Sequence, residues 1–369
     1  MSRRPYIRRL LVLPLALAVV AGTAAQATAA PPARIVPGVD IAGPDAETTA
    51  WKVNNRGQVL FFVSATIWQD GRYTELGSLG GAFTGGWDLN DAGEVVGDSE
   101  LAGGAVHAFR WSRGRMTDLG TLGGPSSIAT SIGANGDITG RSALPDGTEH
   151  VFHWRRGVLT DTGIPSGFGS RMFVNARGQI ATTYLSDDLS VERAFLWDRG
   201  RVTEIPSFGG TAVNVLDIND RGEVVGQATN AAGEFRAFRW WRGRMTDLGT
   251  LGGTDSSAVD INNRGQIAGT SGTGEGDRAF RWENGVMTGL GDQSTGAAIN
   301  ERGDVAGSRL TEDGIRGAVW RRDRELTLDA LGRETGAASD INDAGLAVGF
   351  TSPGPFEPTR ATVWWTGRR

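Results

Sequence analysis

A segment of about 42 residues recurs eight times along this 369-residue chain, and this repeat constrains the fold more than any other feature. The clearest copies are DINDRGEVVG from Asp217, DINNRGQIAG from Asp260 and DINDAGLAVG from Asp340. Each copy also has a tryptophan at the same place, and the eight are Trp68, Trp111, Trp154, Trp197, Trp240, Trp282, Trp320 and Trp364. A chain of this kind forms one supersecondary unit per repeat and buries its apolar faces between neighbouring units.

Each repeat predicts four short strands, because short β-branched and aromatic runs are bounded by Gly, Asn and Asp. In the fifth repeat, one run ends at Asn219 and the others are 222–226, 237–240 and 245–249. Asn219 and Gly222 are typical of a type I turn followed by a residue with positive φ, and Arg242-Gly243 predicts a second tight turn. Four strands in about 42 residues are the size of one β-propeller blade, so the fold class is all-β.

The two ends of the repeat region predict a closed ring. The last repeat stops at Trp364 and lacks its fourth strand, whereas 39–41 stands before the first repeat where other repeats have Thr-Asp-Leu. A strand from the N-terminus would therefore complete the last blade. We expect an eight-bladed propeller, with seven blades as the alternative because the third and seventh repeats are degenerate.

The tripeptide His107-Ala108-Phe109 and its in-phase counterparts identify a resemblance. The chain resembles the extracellular HAF-repeat family over residues 35–366. The resemblance implies a secreted bacterial repeat protein with a propeller-like fold, and it assigns no chemistry to any residue.

The N-terminus has the pattern of an export signal. Four arginines lie in the first nine residues, and the apolar run at 10–21 is too short to span a bilayer, which takes about 20 residues. We expect cleavage after Ala29, so that 1–29 is a signal peptide of the Sec or twin-arginine type and 30–369 is a single propeller domain. The predicted location is therefore extracellular.

Charge and composition exclude several classes of partner and site. Without the four arginines of the signal, 33 of the 37 basic residues remain against 42 acidic ones, which leaves a net charge near −9. This sign argues against nucleic-acid binding, and the mature chain has no second apolar span that would hold it in a membrane. There is no cysteine and there are only 3 histidines, so we expect no cofactor. We also expect the mature chain to be a monomer.

Two patterns that could suggest metal chemistry favour structural roles instead. The D-x-N-x-x-G stretches resemble calcium loops, but their fifth position is Arg, Ala or Asn and their ninth is apolar, which favours a turn and predicts no metal site. His107 and His150 occupy equivalent positions in consecutive repeats, and His153 replaces Arg110. Residues in register with a repeat are expected to be structural.

Departures from the repeat are the better places to look for function. We expect small residues to face the crowded axis at one position of the first strand: Ala50, Gly86, Ala129, Ala258, Gly296 and Ala338. Arg171 stands at this position in the fourth repeat and is the candidate ligand-binding residue, able to hold a carboxylate or sulfate. The alternative is a salt bridge to a neighbouring blade.

A second departure lies around the expected closure. Repeats two to six have Phe in the third strand, whereas Ala318, Thr362 and Thr66 replace it in repeats seven, eight and one. This change predicts either tighter packing between blades or a docking patch.

The leading functional hypothesis is a secreted, non-enzymatic binding scaffold. The connections between strands 2 and 3, and between strand 4 and the next strand 1, vary in length and share one face of the ring. Variable loops on a rigid scaffold usually carry binding, so we expect an extracellular polymer or an exported protein to bind there. The alternative is an extracellular polysaccharide hydrolase or lyase with axial carboxylates, whose catalytic residues the sequence does not identify.

Overall fold

A computed structural model describes residues 34–42, 48–62, 64–167, 169–186, 192–322, 324–354 and 357–367. The expected signal peptide and its cleavage site lie outside these residues. Strands and turns make up the described residues, without any helix. Accordingly, no described helix is long and apolar enough to cross a membrane.

The strands follow the repeat, and we call the four-stranded sheet of each repeat a unit. Before the first unit come β1 (Arg34–Val36) and β2 (Gly38–Asp40). Unit one has β3 (Ala50–Val53), β4 (Val59–Phe61), β5 (Thr66–Gln69) and β6 (Arg72–Glu75). Unit two has β7 (Gly80–Leu89), β8 (Val95–Leu101), β9 (Val106–Ser112) and β10 (Arg115–Asp118). Unit three has β11 (Ser127–Ile132), β12 (Ile138–Ala143), β13 (Glu149–Arg155) and β14 (Val158–Pro165).

The second half of the chain continues the same order. Unit four has β15 (Arg171–Val174), β16 (Ile180–Leu185), β17 (Glu192–Asp198) and β18 (Arg201–Ile205). Unit five has β19 (Gly209–Ile218), β20 (Val224–Asn230), β21 (Phe235–Trp241) and β22 (Arg244–Asp247). Unit six has β23 (Ser256–Ile261), β24 (Ile267–Thr273), β25 (Gly276–Glu283) and β26 (Val286–Gly289). Unit seven has β27 (Ser294–Ile299), β28 (Val305–Thr311), β29 (Gly314–Trp320) and β30 (Glu325–Leu328). Unit eight has β31 (Thr335–Ile341), β32 (Leu346–Ser352) and β33 (Arg360–Trp365).

The all-β propeller is confirmed, and the N-terminus completes its last unit as expected. β2 pairs antiparallel with β33, with Val39 opposite Val363, and supplies the missing fourth strand. β1 adds in parallel to β30 of unit seven. Units one to six are separate sheets, while units seven and eight join in one nine-stranded sheet, so the described strands form seven sheets but eight four-stranded units. Counting sheets gives the seven of the alternative prediction, whereas counting four-stranded units gives the expected eight.

The innermost strands of consecutive units contact one another all around the ring, including β3 with β31. Large apolar side chains fill the spaces between units. Phe238, for example, packs with Ala181 and Leu196 of unit four, and burying such a ring contributes about 1.5–3 kcal/mol. Ala318 and Thr362 are also buried, together with the adjacent Val319 and Val363, so this part of the closure is packed between units and offers no docking patch.

Both tight turns of each unit lie at one end of the ring, which we call the turn end. Gly222 has a φ of 78°, as the sequence predicts, and supports the turn between strands 1 and 2. Between strands 3 and 4, Arg242 and Gly243 both have positive φ, so the predicted second tight turn is a two-residue type I′ turn. The longer connections lie at the opposite end, which we call the loop end.

Asparagine side chains join neighbouring units by hydrogen bonds at the turn end, and we call each such asparagine a staple. Asn219 Oδ1 accepts hydrogen bonds from the backbone N–H of Arg221 and Glu223, and its Nδ2 donates to the carbonyl of Asn262 in the next unit at 3.0 Å. The Nδ2 bond to the next unit recurs at Asn54, Asn90, Asn175, Asn262, Asn300 and Asn342. Unit three has Gly133 at this position, so the ring of amide bonds is interrupted once.

Candidate functional site

The inner strands determine which side chains enter the central channel. Seven of the eight inner strands carry a β-bulge just before the position that Asp217 occupies in unit five. A bulge sets two consecutive residues against one partner and turns the strand. As a result, Leu216 and Asp217 are both partly exposed, while Val215 and Ile218 are buried.

A close approach between the first two strands accompanies a glycine inside the second strand of six units. A Cβ at Gly226 would lie 2.0 Å from the carbonyl oxygen of Asn214, and equivalent glycines are equally close to the first strand in five other units. Unit four has Thr182 there, and its inner strand pairs regularly without a bulge. In unit one the position is Phe61, which pairs with Ala50 beside a bulge.

The expectation that small residues at this position face the axis is therefore wrong for most units. Ala50, Ala129, Ala258 and Ala338 are buried between units, because the bulge turns the next two residues into the channel instead. Unit four lacks the bulge, so its alternation is reversed. Arg171 is exposed, Met172 is buried and Phe173 is partly exposed.

Lys52, the chain's single lysine, interacts electrostatically with carboxylates from four units around the axis. Burial opposes the charged form of Lys52, but the surrounding carboxylates outweigh this effect and raise its pKa above the ordinary value. Those carboxylates belong to Asp340, Asp88, Asp260 and Asp217. Among the described residues, no carboxylate forms a direct ion pair with Lys52, so the four act on it across the channel.

Each of these carboxylates also fastens its unit to the next. Asp217 Oδ2 accepts the backbone N–H of Ile261 at 3.0 Å, and Asp260 Oδ2 accepts that of Ile299 at 2.7 Å. Asp88 and Asp340 make the same bond to the following units. The acidic residue of the D-x-N-x-x-G stretch is thus a link between neighbouring units.

Asp217 and Asp260 are also hydrogen-bonded to each other. Burial is the largest influence on both and raises the pKa of each carboxyl group, and the charge of Asp217 raises the pKa of Asp260 further. Two carboxyl groups in contact cannot both ionise easily, so the pair holds a proton more readily than separate carboxyl groups would.

The candidate Arg171 lies at the loop end of the channel, because it is the first residue of β15. Its electrostatic partner is Glu192, the first residue of β17. The surrounding protein removes part of the water around both groups, which lowers the pKa of Arg171 and raises that of Glu192, while each charge partly opposes the shift of the other. Both residues belong to unit four, so the described contacts show no salt bridge from Arg171 to a neighbouring unit.

The three histidines lie away from this cluster. His107 Nδ1 contacts Asp118 at 2.9 Å, and His150 makes the same contact with Asp161. Arg236 and Asp247 form the equivalent pair in unit five. A histidine at this position therefore belongs to a recurring cross-strand pair.

His153 has a different environment. It is buried beside Asp137, with 3.4 Å between Nε2 and Oδ2, and its ring lies 4.9 Å from that of Trp197. Burial lowers the pKa of His153, although Asp137 opposes the shift.

A cavity of about 180 Å³ lies at the turn end, where the asparagine ring is interrupted. Its lining includes Gly133, Ala134, Asn175, Asp220 and Glu301. It is on the face opposite the one expected to bind a ligand. No group of three or more acidic or histidine side chains in the described residues is arranged to hold a metal.

Sequence reasoning missed two features of the channel. Lys52 stands where four other units have Asp, and this exchange was the signal that could have located the axial cluster. Trp51 and Trp87 occupy the other bulge position, whose direction depends on a backbone irregularity that residue patterns do not display.

Comparisons with known proteins support the architecture. No protein-family model and no curated protein matches this chain. A structure from a study of two prolyl endopeptidases has a TM-score of 0.51 at 10% identity, over 76% of this chain and 49% of that one. The β-propeller domain of the Trilobed protease from Pyrococcus furiosus gives 0.49 at 10% identity, over 78% and 96%. TolB from Acinetobacter baumannii gives 0.40 at 11% identity, over 74% and 64%.

This chain spans about half the length of the prolyl endopeptidase structure. At such low identity the likeness concerns the fold alone, and the activities of those proteins do not carry over. The chain is a β-propeller.

Proposed function

We propose that this chain is an exported, non-enzymatic binding scaffold that holds its ligand at the loop end of the ring. The proposed ligand is an extracellular polymer or another exported protein. The proposal includes a cleaved signal at 1–29, a place in the HAF-repeat family, and a monomer that binds neither nucleic acid nor membrane. Arg171, at the loop end of the channel, is proposed to contact an acidic group of the ligand.

One observation carries the preference for binding over catalysis, namely how the axial carboxylates are used. Asp217 and Asp260 contact each other, and each accepts a backbone N–H from the next unit. Glycoside hydrolases separate their two carboxyl groups by about 5–5.5 Å or about 6.5–9.5 Å so that a sugar or a water fits between them. The bonds to the next units give both carboxylates a structural use that a catalytic pair does not need.

The alternative remains a polysaccharide hydrolase or lyase, and the raised pKa values of Asp217 and Asp260 favour it. Two contacting carboxyl groups with raised pKa values can provide one acid and one base. Such an enzyme would release soluble sugar ends, whereas a scaffold would not.

The test uses mature protein from Ala30 onward, mixed with insoluble cell-wall and polysaccharide preparations. Depletion of protein from the supernatant and release of reducing ends are followed in the same tubes. The control is Asp217→Asn with Asp260→Asn, because an amide oxygen can still accept the backbone N–H. We expect depletion without release, and equal depletion of the control.

Release that grows with time in the wild type, and is lost in the double variant, would contradict the binding proposal and identify the pair as catalytic. Depletion of neither protein by any preparation would leave an exported protein as the proposed ligand. A pull-down from culture medium would then test it, and failure to retain any exported protein would overturn the scaffold.

A further inference from the structure

Units one and two place tryptophans in the channel where the repeat does not require them. Trp51 and Trp87 occupy the first bulge position, and both are partly exposed. The other bulged units have smaller side chains there: Thr130, Leu216, Val259, Ala297 and Ser339. Because those units form the same sheet, the two indoles are not needed for the fold.

The two indoles meet Phe62 in a corner. The Trp51 and Phe62 ring centroids are 5.2 Å apart with an interplanar angle of 56°, and those of Phe62 and Trp87 are 6.1 Å apart at 88°. Trp87 Nε1 donates a hydrogen bond of 2.5 Å to Asp98 Oδ1, whose side chain is buried. That bond fixes the indole before any ligand arrives, which lowers the entropic cost of binding. We call Trp51, Phe62 and Trp87 the aromatic corner.

The aromatic corner lies toward the loop end. Phe62 follows the last residue of β4, and only a short connection separates it from β5 at Thr66. The strands β4 and β5 have three and four residues, whereas β8 and β9 of unit two have seven each, so the hairpin of unit one is the shorter of the two.

Polar groups of both kinds lie beside the aromatic corner. Lys52 and Asp88 follow the two tryptophans and share their bulges. Nζ of Lys52 makes no hydrogen bond to any described residue, so this ammonium can donate to a ligand. Each oxygen of Asp88 and Asp340 accepts one backbone N–H and retains a second lone pair for a ligand hydroxyl.

This combination selects among ligand classes. An ammonium in the same channel disfavours a cationic ligand, and the four carboxylates around it disfavour an anion. A neutral sugar ring satisfies all the groups, because its C–H face packs on an aromatic ring and its hydroxyls both donate and accept hydrogen bonds.

We propose that the aromatic corner and Lys52 bind a neutral pyranose residue at the end of an extracellular polysaccharide chain. The end is specified because the ring is closed by strand pairing, so the middle of a long polymer cannot reach the axis from the side. This inference rests on the proposed binding function and names the ligand class and the subsite.

The test is calorimetric titration of the mature chain with five hexasaccharides: β-1,4-linked glucose, N-acetylglucosamine, xylose and mannose, and α-1,4-linked glucose. Trp51→Val with Trp87→Leu is the test variant, because Val259 and Leu216 occupy the same position in other units. Trp241→Leu, on the third strand of unit five, is the matched control. We expect at least one hexasaccharide to bind, at least tenfold weaker binding by the double variant, and binding within twofold of wild type by the control.

Chain ends give a second readout. Insoluble polysaccharide of the binding type, cut lightly by an endo-acting enzyme, should take up more protein in proportion to the ends created. Uptake that does not change with the number of ends would overturn the proposed chain-end recognition.

The two proposals fail differently. If wild type and double variant bind a polysaccharide equally, the scaffold stands and the aromatic corner is not its site. If no hexasaccharide binds at millimolar concentration, this inference is overturned, and retention of an exported protein would still support the scaffold.

Discussion

Unit five follows the repeat closely, while units three and four depart from it, yet all three form the same four-stranded sheet. Unit five has the bulge, the glycine at 226 and the amide staple of Asn219. Unit four has lost the bulge and has Thr182 in place of glycine, and unit three has Gly133 in place of the staple. The sheet itself therefore depends on apolar burial and strand pairing, and the repeated polar and glycine positions adjust how neighbouring units meet.

The comparison also shows which parts of the propeller can vary in sequence without opening the ring. Once unit four lost its bulge, Arg171 came into the channel; the interruption in unit three is accompanied by a cavity at the turn end. Departures from the repeat thus change the channel and its mouths while the ring stays closed.

The largest expected effect on the free energy of unfolding comes from exchanging the equivalent residues Thr182 of unit four and Gly226 of unit five. Gly226→Thr brings a Cβ onto the carbonyl of Asn214, and we expect a loss of about 3 kcal/mol or more in the free energy of unfolding, typical of severe overpacking. Thr182→Gly, where no bulge exists, should cost only about 1 kcal/mol through backbone entropy and the lost hydroxyl bond. Urea unfolding of both variants measures the difference, and equal losses would refute the account of the bulge.

Removing the staple should have the next largest effect. Asn219→Ala deletes four hydrogen bonds, one of them to the next unit, and we expect a loss of about 2 kcal/mol. Asn135→Ala in unit three removes one bond within an exposed turn and should cost under about 1 kcal/mol. If both variants unfold at the same urea concentration, the amide ring does not stabilise the propeller.

We expect His153 to make the free energy of unfolding depend on pH. The change should be smaller than the loss expected for Asn219→Ala. Its pKa is lowered in the folded state, so the unfolded chain binds more protons just below the ordinary histidine pKa of about 6.5. The stabilisation is complete above about pH 6.5 and is lost as pH falls toward the folded-state pKa. His153→Leu introduces the residue that unit four has at this position, Leu196, and should flatten the dependence of melting temperature on pH between pH 7 and 5.

The control for that experiment is His107→Arg, which retains a cross-strand pair with Asp118 as Arg236 does with Asp247. A wild-type profile that His153→Leu leaves unchanged would assign the acid sensitivity to other groups.

Arg171→Val should have the smallest effect on stability, since Arg171 is the exposed first residue of β15. We expect a change within about 0.5 kcal/mol. Loss of Arg171 should raise the pKa of Glu192 further, because the guanidinium opposes that shift. Weaker depletion by acidic polysaccharide, with unchanged unfolding, would support a ligand contact, whereas marked unfolding would show a structural role.

Much of the architecture could be predicted from the sequence, because turn residues and β-branched runs are local signals. The turn at Asn219–Gly222 and the closing strand around Val39 follow from such signals. The channel could not be read in the same way. Strict alternation from the buried Ile261 would place Ala258 of the same strand in the channel, and the bulge between Ala258 and Asp260 reverses that result. Arg171 reached the channel for a reason that only the missing bulge reveals.

The closed ring is the central claim, and hydrogen–deuterium exchange at its closure tests it most directly. The Ile41 N–H donates to the carbonyl of Ala361, and β2 pairs along β33. We predict that peptides covering 38–41 exchange as slowly as those covering β22, the fourth strand of unit five. Exchange at the rate of an unpaired terminus, with β22 protected, would show that the N-terminus does not close the propeller.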